Sequence, residues 1–258
     1  MKEQPQEFVT LERYDHLAIV RLNRPPVNAI SKLLAEQLAQ VVAAIDADPS
    51  IYCTVLSGGP RMFSAGVDIK DLEKAPPEDA IPRNRRFLDI YGLFERMKAP
   101  VLAAINGYVV GGAVELVLAC DVRVLASDAF IAVPEVRLGG LPHMQRLNRM
   151  IPLGKLRRWV YTSERLTAAQ SLELGIVDEL APPGAAEDAA LELATKIASQ
   201  PPLTIQAAKQ AITIGRQLPF AEAEEYELKL VGKVASTKDR FESLHAFVEK
   251  RAAQLQGL

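Results

Sequence analysis

The chain has 258 residues, 49% of them hydrophobic, and its 30 basic and 32 acidic side chains give a formal net charge of −2. This composition is sufficient for a large buried core, and the near-neutral charge argues against a nucleic-acid-binding protein, which usually carries a basic surplus. The two cysteines, Cys53 and Cys120, do not form a CxxC pair, and the three scattered histidines lack metal-ligand spacing. We therefore expect no disulfide framework and no metal.

Neither a targeting signal nor a membrane span is expected. Residues 1–16, MKEQPQEFVTLERYDH, have no apolar signal core and no Arg- and Ser-rich amphipathic pattern, which predicts a cytoplasmic protein. The apolar run over 101–120 is long enough to suggest a membrane helix. However, Asn106, Gly111, Gly112 and Glu115 interrupt it, so a strand, a turn and a buried helix fit better.

The first half of the chain alternates predicted strands and helices. Strands are predicted over 16–24, 52–59, 100–107, 121–127 and 129–133. Helices are predicted from Ser31, as N-cap, to about Ile45, over 83–97, and from the Gly111-Gly112 turn to about Ala119. Residues 61–79 are predicted to form a loop.

Beyond Pro142 the pattern becomes helical, with Thr167 or Ser236 as possible N-caps. The predicted helices cover 147–150, 154–163, 167–174, 186–200, 203–217, 220–235 and 238–254. Repeated βα units followed by helices predict an α/β domain with a helical C-terminal extension.

The first stretch that could carry chemistry is FSAGVDIKD, residues 63–71. The small residues Ala65 and Gly66 would let the backbone approach a ligand and leave N–H groups free. An ordinary strand-to-helix turn capped by Asp68 explains the same letters and is favoured when the stretch is taken alone.

The second stretch is the Gly111-Gly112 turn with Glu115 one helical turn later. Free N–H groups at a helix start stabilise an oxygen that gains negative charge, and Glu115 would face the same space. Alternatively, the glycines allow tight packing and Glu115 pairs with a core arginine such as Arg123. The two interpretations carry equal weight.

The third stretch, residues 132–149, places Glu135 after an apolar strand and a proline. A second carboxylate could complete an acid/base pair. The alternative is a surface glutamate beside Arg137, which is the commoner situation for a single glutamate.

Taken together, the chain resembles the crotonase superfamily, the enoyl-CoA hydratase/isomerase family. The resemblance rests on NRPPVNAI, FSAGVDIKDL, PVLAAINGYVVGGAVELVLACDVRVLAS, VPEVRLG and AFVEKR, in this order. It implies a crotonase-like α/β core of repeated ββα units over residues 1–195. It also implies a helical region over 196–258 for trimerisation and active-site cover, and a homotrimer or dimer of trimers.

The resemblance also assigns roles to residues. The backbone N–H groups of Val67 and Gly112 would form the oxyanion hole for a thioester carbonyl, and Glu115 and Glu135 would activate water. Coenzyme A would be the carrier of the substrate, with no further cofactor. The residues implied in CoA or substrate binding are Ala65, Gly66, Asp68, Ile69, Lys70, Gly111, Pro142, His143 and Lys250, of which Lys250 could act across a subunit contact.

Two segments depart from the family pattern. The loop over 139–146 is shorter than the family's glycine-rich form, and His143 replaces a glycine after Pro142. His143 could add an acid/base group, or it could face solvent or pack on the loop. NRPPVNAI lacks the family's lysine near the CoA adenine, so Lys32, Lys70 or a C-terminal basic residue would bind CoA instead.

The expected function is hydration of a trans-2-enoyl-CoA. Within the same fold, an isomerase, a thioester or ring-opening C–C hydrolase or a decarboxylase would reuse Val67 and Gly112 with other acid/base groups. The presence of both Glu115 and Glu135 favours hydration. A non-catalytic acyl-CoA-binding or RNA-binding relative is the alternative from another functional class, and the near-neutral charge argues against RNA.

Overall fold

The computed structural model describes residues 6–258. The N-terminal segment over 1–16, for which no targeting signal is expected, therefore lies partly outside the described residues. The strands are β1 Val9–Tyr14, β2 Leu17–Leu22, β3 Cys53–Ser57, β4 Val101–Ile105, β5 Tyr108–Val110, β6 Val122–Ala126, β7 Phe130–Ala132, β8 Leu166–Thr167 and β9 Glu179–Ala181. The helices are α1 Lys32–Asp46, α2 Ile69–Lys74, α3 Ala80–Arg96, α4 Gly112–Leu118, α5 Leu153–Thr162, α6 Ala168–Glu173, α7 Ala186–Ala198, α8 Pro202–Gly215, α9 Phe220–Ala235 and α10 Lys238–Glu249. Short 3₁₀ turns span Pro77–Asp79, Pro134–Leu138 and Leu147–Arg149.

The larger sheet has six strands in the order β1-β2-β3-β4-β6-β9. Strands β1 and β2 pair antiparallel, and every further neighbouring pair is parallel. All residues of β3 and β4 are buried, as expected for central parallel strands covered on both faces. Helix α7 contacts β3, β4 and β6 and covers part of this sheet.

A second sheet carries the elements that matter for the site. It consists of β5, β7 and β8, with β5 parallel to β7 and β7 antiparallel to β8. The chain passes from β4 of the larger sheet to β5 of the smaller one and then into α4, and it repeats this step from β6 to β7. These ββα passages place Gly111 at the exit of β5 and Glu135 shortly after β7.

The caps show why two helices begin where the sequence indicates. The Ser31 side chain accepts a hydrogen bond from the Leu34 N–H, and Thr167 forms a reciprocal capping box with Gln170. The proposed Ser236 cap is wrong, because Thr237 caps α10 by accepting from the Arg240 N–H.

Most predicted elements are confirmed, with the following corrections. The predicted loop over 61–79 contains α2, and α10 ends at Glu249 rather than near 254. The prediction omitted β1, β5, β8 and β9. The suggested boundary at residue 195 falls inside α7, and the division into two regions stays a prediction.

Within residues 6–258, no helix is both long enough and apolar enough to cross a membrane. The run over 101–120 instead forms β4, β5 and α4.

Candidate active site

The loop before Val67 is fixed against β5 by side-chain and backbone hydrogen bonds. The Asn28 side-chain amide donates to the carbonyls of Gly58, at 2.8 Å, and Phe63, at 3.0 Å. The Ser64 hydroxyl donates to the Asn28 carbonyl and accepts from the Gly66 N–H. The loop therefore presents its backbone in one conformation next to the start of α4.

Two backbone N–H groups are left without acceptors at this junction. Neither the Val67 N–H nor the Gly112 N–H donates a hydrogen bond within the described part of the chain. A Cβ added at Gly112 would lie 3.9 Å from the Val67 nitrogen, and one added at Gly66 would lie 3.2 Å from the Gly112 nitrogen. The two free donors are thus neighbours, an arrangement suited to an oxygen that gains negative charge.

Glycine is required at positions 66 and 111 for the close contacts around these two N–H groups. Gly66 has φ of +88°, and a Cβ there would lie 2.5 Å from the Val110 carbonyl oxygen. Gly111 has φ of +60°, and its Cβ would lie 3.2 Å from Oε1 of Glu135. Side chains at either position would combine backbone strain with a close contact.

Glu115 is buried on α4, only 3% exposed, and held by an ion pair. Its Oε2 accepts from Nη1 of Arg146 at 2.8 Å, and Nη2 of Arg146 donates to Glu95 at 2.9 Å. Oε1 of Glu115 is buried without a partner among residues 6–258. The alternative that Glu115 pairs with an arginine is confirmed, but the partner is Arg146 and not Arg123, which pairs with Asp178 at 2.8 Å.

The environment of Glu115 acts on its pKa in two opposing directions. Burial raises the pKa, and the hydrogen bond and positive charge of Arg146 lower it; the net effect is a raised pKa. The nearby charge of Glu95 adds to the rise.

Glu135 lies on the 3₁₀ turn after β7 and forms no ion pair with any residue of the described part of the chain. Its Oε2 is buried and accepts no hydrogen bond from the described residues. Burial raises the pKa of Glu135, and the charge of Glu115 raises it further. The interpretation of a surface glutamate beside Arg137 is wrong, because Glu135 is half-buried and Arg137 donates to the Thr162 carbonyl instead.

A cavity of about 260 Å³ opens beside the two free N–H groups and Glu135. The face of α3 that carries Arg83, Phe87 and Tyr91 forms one wall. The remaining lining residues are Ala65, Val67, Ile69, Leu72, Asn84, Val110, Gly111, Gly112, Pro134, Glu135, Leu138, Gly140, Leu141, Pro142 and His143. The predicted site residues from three separate segments therefore meet around one space.

The cavity excludes several residues that the sequence placed at the site. Glu115 is not part of the lining and lies behind the wall, near the Tyr91 hydroxyl. Gly66, Asp68 and Lys70 are also outside the lining. Lys250 is exposed at the C-terminal end of α10 and does not reach the cavity in its own chain.

Asp68 has the structural role that its turn suggested. It caps α2 by accepting from the Lys70 N–H, and it accepts from Arg24 at 2.7 Å. Although burial opposes the effect, the hydrogen bond and charge of Arg24 lower the pKa of Asp68, which keeps this carboxylate charged.

His143 lines the cavity as a half-buried side chain. Its Nε2 lies 3.2 Å from Oδ1 of Asn84, and the Asn84 amide donates to the Ala80 carbonyl. Burial lowers the pKa of His143, and the positive charge of Arg146 lowers it further. A neutral imidazole that donates to Asn84 satisfies this geometry. His143 packs on the loop rather than facing solvent, and its role as an acid/base group stays a prediction.

The sequence interpretation overlooked Arg146, Tyr91 and Arg83. Arg146 lies in the loop over 139–146, but its pairing with Glu115 joins residues from separate segments. The Tyr91 hydroxyl is buried without a partner among the described residues, and burial strongly raises its pKa. The spacing of four residues from Arg83 to Phe87 to Tyr91 was a signal that these side chains share one helix face.

Across the described residues, no group of three or more His, Cys, Asp or Glu side chains is placed to hold a metal ion.

Comparison with known proteins gives matches over nearly the whole chain. Residues 12–257 match the family described as enoyl-CoA hydratase/isomerase. The chain is 37% identical to an (E)-benzylidenesuccinyl-CoA hydratase of Thauera aromatica, covering 96% of this chain and 99% of the relative. It is 33% identical to a 2,3-dehydroadipyl-CoA hydratase of Escherichia coli, covering 96% of this chain and 98% of the relative.

The fold is also similar to that of solved structures. A crystal structure of an enoyl-CoA hydratase from Bacillus anthracis has a TM-score of 0.94 and 32% identity, covering 98% of this chain and all of the other. This similarity confirms the α/β fold class expected from the sequence.

Proposed function

The chain belongs to the enoyl-CoA hydratase/isomerase family, and from this membership we propose that it adds water across the C2=C3 double bond of a trans-2-enoyl-CoA thioester. The observation that carries the proposal is the pair of free N–H groups beside a cavity lined by Glu135, with Glu115 directly behind.

The N–H groups of Val67 and Gly112 would polarise the thioester carbonyl. As water attacks C3, negative charge moves onto the carbonyl oxygen, where both donors stabilise it. Removal of one such donor costs roughly 3–4 kcal/mol in a well-studied protease, so the pair is a major contributor to the lowered barrier. The donors require no reorganisation, because the loop and the start of α4 are already fixed.

Glu115 and Glu135 would handle the water and the protons. Oε1 of Glu115 is free to accept from water because Arg146 occupies only Oε2. Glu135 borders the cavity, and its raised pKa suits a carboxyl group that gives a proton to C2 in one direction and takes one in the other. The Glu135 carboxylate would take a proton from water as the water oxygen binds C3, and the resulting carboxyl group would give a proton to C2, which returns Glu135 to its starting state.

The loop over 65–70 would border the CoA moiety. Ala65, Val67 and Ile69 line the cavity, and Lys70 is exposed just outside it. Lys70 would therefore approach a CoA phosphate, whereas Lys250 would do so only from a neighbouring subunit.

Isomerisation of the double bond is the second candidate, because only one of the two carboxylates lines the cavity. A single carboxyl group that takes a proton from one carbon and returns it to another would be sufficient for this reaction.

The test uses a panel of enoyl-CoA thioesters with short, long, branched, cyclic and dicarboxylic acyl groups, followed by mass spectrometry. The last class is included because both relatives named above are named for acyl groups of dicarboxylic acids. Hydration increases the product mass by one water, whereas isomerisation leaves it unchanged.

Variants of the two carboxylates complete the test. Glu115→Gln and Glu135→Gln should each lower kcat by about 10²- to 10⁴-fold, measured as loss of the conjugated enoyl-CoA absorbance. Unchanged turnover in either variant would contradict the proposed role of that residue. Asp188→Asn, on α7 and away from the cavity lining, serves as the control and should retain full activity.

We also propose a homotrimer or a dimer of trimers. Large apolar side chains are exposed on the C-terminal helices α8–α10, including Ile212, Val231 and Phe247, and such a surface supports contact with further copies of the chain. Light scattering coupled to gel filtration would measure the mass. Cytoplasmic localisation stays a prediction from the sequence.

A further inference from the structure

One cationic side chain at the cavity has no partner. Arg83 lies near the start of α3 and lines the cavity, and its Nη1 is buried from solvent. Within residues 6–258, this nitrogen has no hydrogen-bond acceptor, and Arg83 forms no ion pair with a carboxylate. It differs in this respect from Arg146, which donates to both Glu115 and Glu95.

An unpartnered guanidinium in this position is suited to bind an anion. Arginine does not lose its proton in proteins, so Arg83 stays charged, and a buried donor without an acceptor is unfavourable. The adjacent Asn84 is already engaged, because its Oδ1 faces His143 and its amide donates to the Ala80 carbonyl. Glu135 lines the same cavity, but within residues 6–258 its buried Oε2 accepts no hydrogen bond from Arg83. A planar guanidinium matches a carboxylate especially well, since it can donate two parallel hydrogen bonds.

The position of Arg83 indicates which part of a ligand it would meet. Tyr91 lies close to Gly112, whose N–H is one of the two free donors: a Cβ at Gly112 would lie 3.9 Å from the Tyr91 hydroxyl. Arg83 is eight residues earlier on the same helix face, which corresponds to about 12 Å along the axis. Phe87 lies between them and gives the middle of the wall an apolar surface. A ligand held at the N–H pair would thus pass an apolar section before it reaches Arg83.

We propose that the acyl group of the substrate carries a second carboxylate at its far end, and that Arg83 binds this carboxylate. The inference rests on the proposed function, because it places the thioester carbonyl at the N–H groups of Val67 and Gly112. The alternative source of an anion is a phosphate of CoA itself, which would be present with every acyl group. Substrates that differ only in the terminal carboxylate separate these two sources.

The experiment compares two six-carbon thioesters. One is trans-2-hexenedioyl-CoA, with a carboxylate at C6, and the other is trans-2-hexenoyl-CoA, with a methyl group there. We expect the wild-type protein to have the higher kcat/KM for the dicarboxylic thioester. In Arg83→Met, the ratio of the two kcat/KM values should fall by about 10- to 100-fold, since one charge-assisted hydrogen-bonded contact is lost. Arg83→Lys should retain part of the ratio, because it keeps the charge and loses the planar fork.

Arg86→Met is the matched control. Arg86 is three residues along the same helix, is exposed and does not line the cavity, so the ratio should stay at the wild-type value. Equal losses for both thioesters in Arg83→Met would overturn the proposal and assign Arg83 to CoA. Absence of any wild-type preference for a terminal carboxylate at acyl lengths from five to eight carbons would overturn it as well.

A binding measurement keeps this test separate from the proposed reaction. Adipoyl-CoA and hexanoyl-CoA lack the double bond, so calorimetry of the wild-type protein measures recognition of the carboxylate without turnover. Tighter binding of adipoyl-CoA, lost in Arg83→Met, would support the carboxylate site even if no thioester were hydrated. Equal affinity for the two ligands would overturn it even if hydration were observed.

Discussion

The carboxylates of Glu115 and Glu135 differ in whether a neighbouring cation compensates their charge. Glu115 is on a helix in the core, and the guanidinium of Arg146 compensates its charge at 2.8 Å. Glu135 is on a 3₁₀ turn at the edge of the cavity, and no cation among residues 6–258 pairs with it. Burial raises the pKa of both groups, but only at Glu115 does a positive charge oppose the rise.

This difference suggests a division of tasks. An ion-paired carboxylate keeps its position, which suits the orientation of a water molecule. A carboxylate without a cation changes its protonation state more readily, which suits proton transfer. Changes confined to one segment should therefore have distinct signatures in stability and in turnover.

The largest effect should come from removal of the cation beside Glu115. Arg146→Leu leaves a buried carboxylate next to Glu95 without compensation, and breaking a buried pair in this way costs about 3–5 kcal/mol of stability. We expect a markedly lower thermal unfolding midpoint at fixed protein concentration. Arg149→Leu, an exposed arginine on the following 3₁₀ turn, is the control. A midpoint as high as that of the control would show that the pair contributes little.

A second change tests the pair directly. Adding Glu115→Gln to Arg146→Leu replaces the stranded charge with a neutral amide, so the double variant should recover part of the lost midpoint. If the two losses simply add, the model of an uncompensated charge at Glu115 is wrong.

A smaller effect is expected from a methyl group added at Gly111, next to Glu135. Gly111→Ala imposes a side chain at φ of +60°, with its Cβ 3.2 Å from Oε1 of Glu135. Backbone strain of this kind costs about 1–3 kcal/mol, and displacement of Glu135 should lower kcat more than it raises KM. Steady-state kinetics measure the changes in kcat and KM, and thermal unfolding measures the loss of stability.

Gly154→Ala provides the matched control, because Gly154 lies in α5, has an ordinary φ and has open space where a Cβ would go. It should leave kcat unchanged and the midpoint unchanged or slightly higher. Normal kcat in Gly111→Ala would mean that Glu135 tolerates displacement, contrary to its proposed role.

The pH dependence of stability should distinguish the two carboxylates more finely. Because the pKa of Glu135 is raised in the folded state, the folded protein binds this proton more tightly than the unfolded chain does. The stability from this proton is fully present below the unfolded pKa, near 4.5, and is lost as the pH rises through the folded value. Urea unfolding should therefore show Glu135→Gln gaining stability relative to wild type as the pH increases across this window.

Glu115→Gln should show a weaker change over the same window, since the charge of Arg146 opposes the rise in pKa at Glu115. Equal pH dependence of the two variants would remove the basis for treating these carboxylates as different.

The features that the sequence could predict are those determined by residues close together in the chain. The glycines before α4 and the apolar residues after them predicted the turn, the helix and the position of Glu115. The N-cap of α1 followed from Ser31 and the residues after it. In contrast, β5 and β8 have only three and two residues, which are too few to show a period of two.

The partner of Glu115 could not be predicted in the same way. Arg123 and Arg146 are both downstream arginines, and the sequence alone contains no signal that selects between them. The choice depends on the path of the loop before α5, which brings Arg146 to α4 while the neighbouring β9 segment engages Arg123 through Asp178. Long-range packing also brings Tyr91 and Arg83 to the cavity, since periodicity defines a helix face but not what that face contacts.

The smallest effect should come from Tyr91, which lies on α3 near Gly112 and Glu115. Its hydroxyl is buried without a partner among the described residues, so Tyr91→Phe removes an unsatisfied polar group while it keeps the ring. Such a group costs about 1–3 kcal/mol when left unpaired, although relaxation around it reduces the gain from its removal. We therefore expect a thermal midpoint equal to or slightly above wild type. Because this hydroxyl is near Gly112, kcat should fall less than in either glutamate variant. Tyr161→Phe, with a residue 72% exposed on α5, should change neither property, and a lower midpoint in Tyr91→Phe alone would show that the hydroxyl has an acceptor in solution.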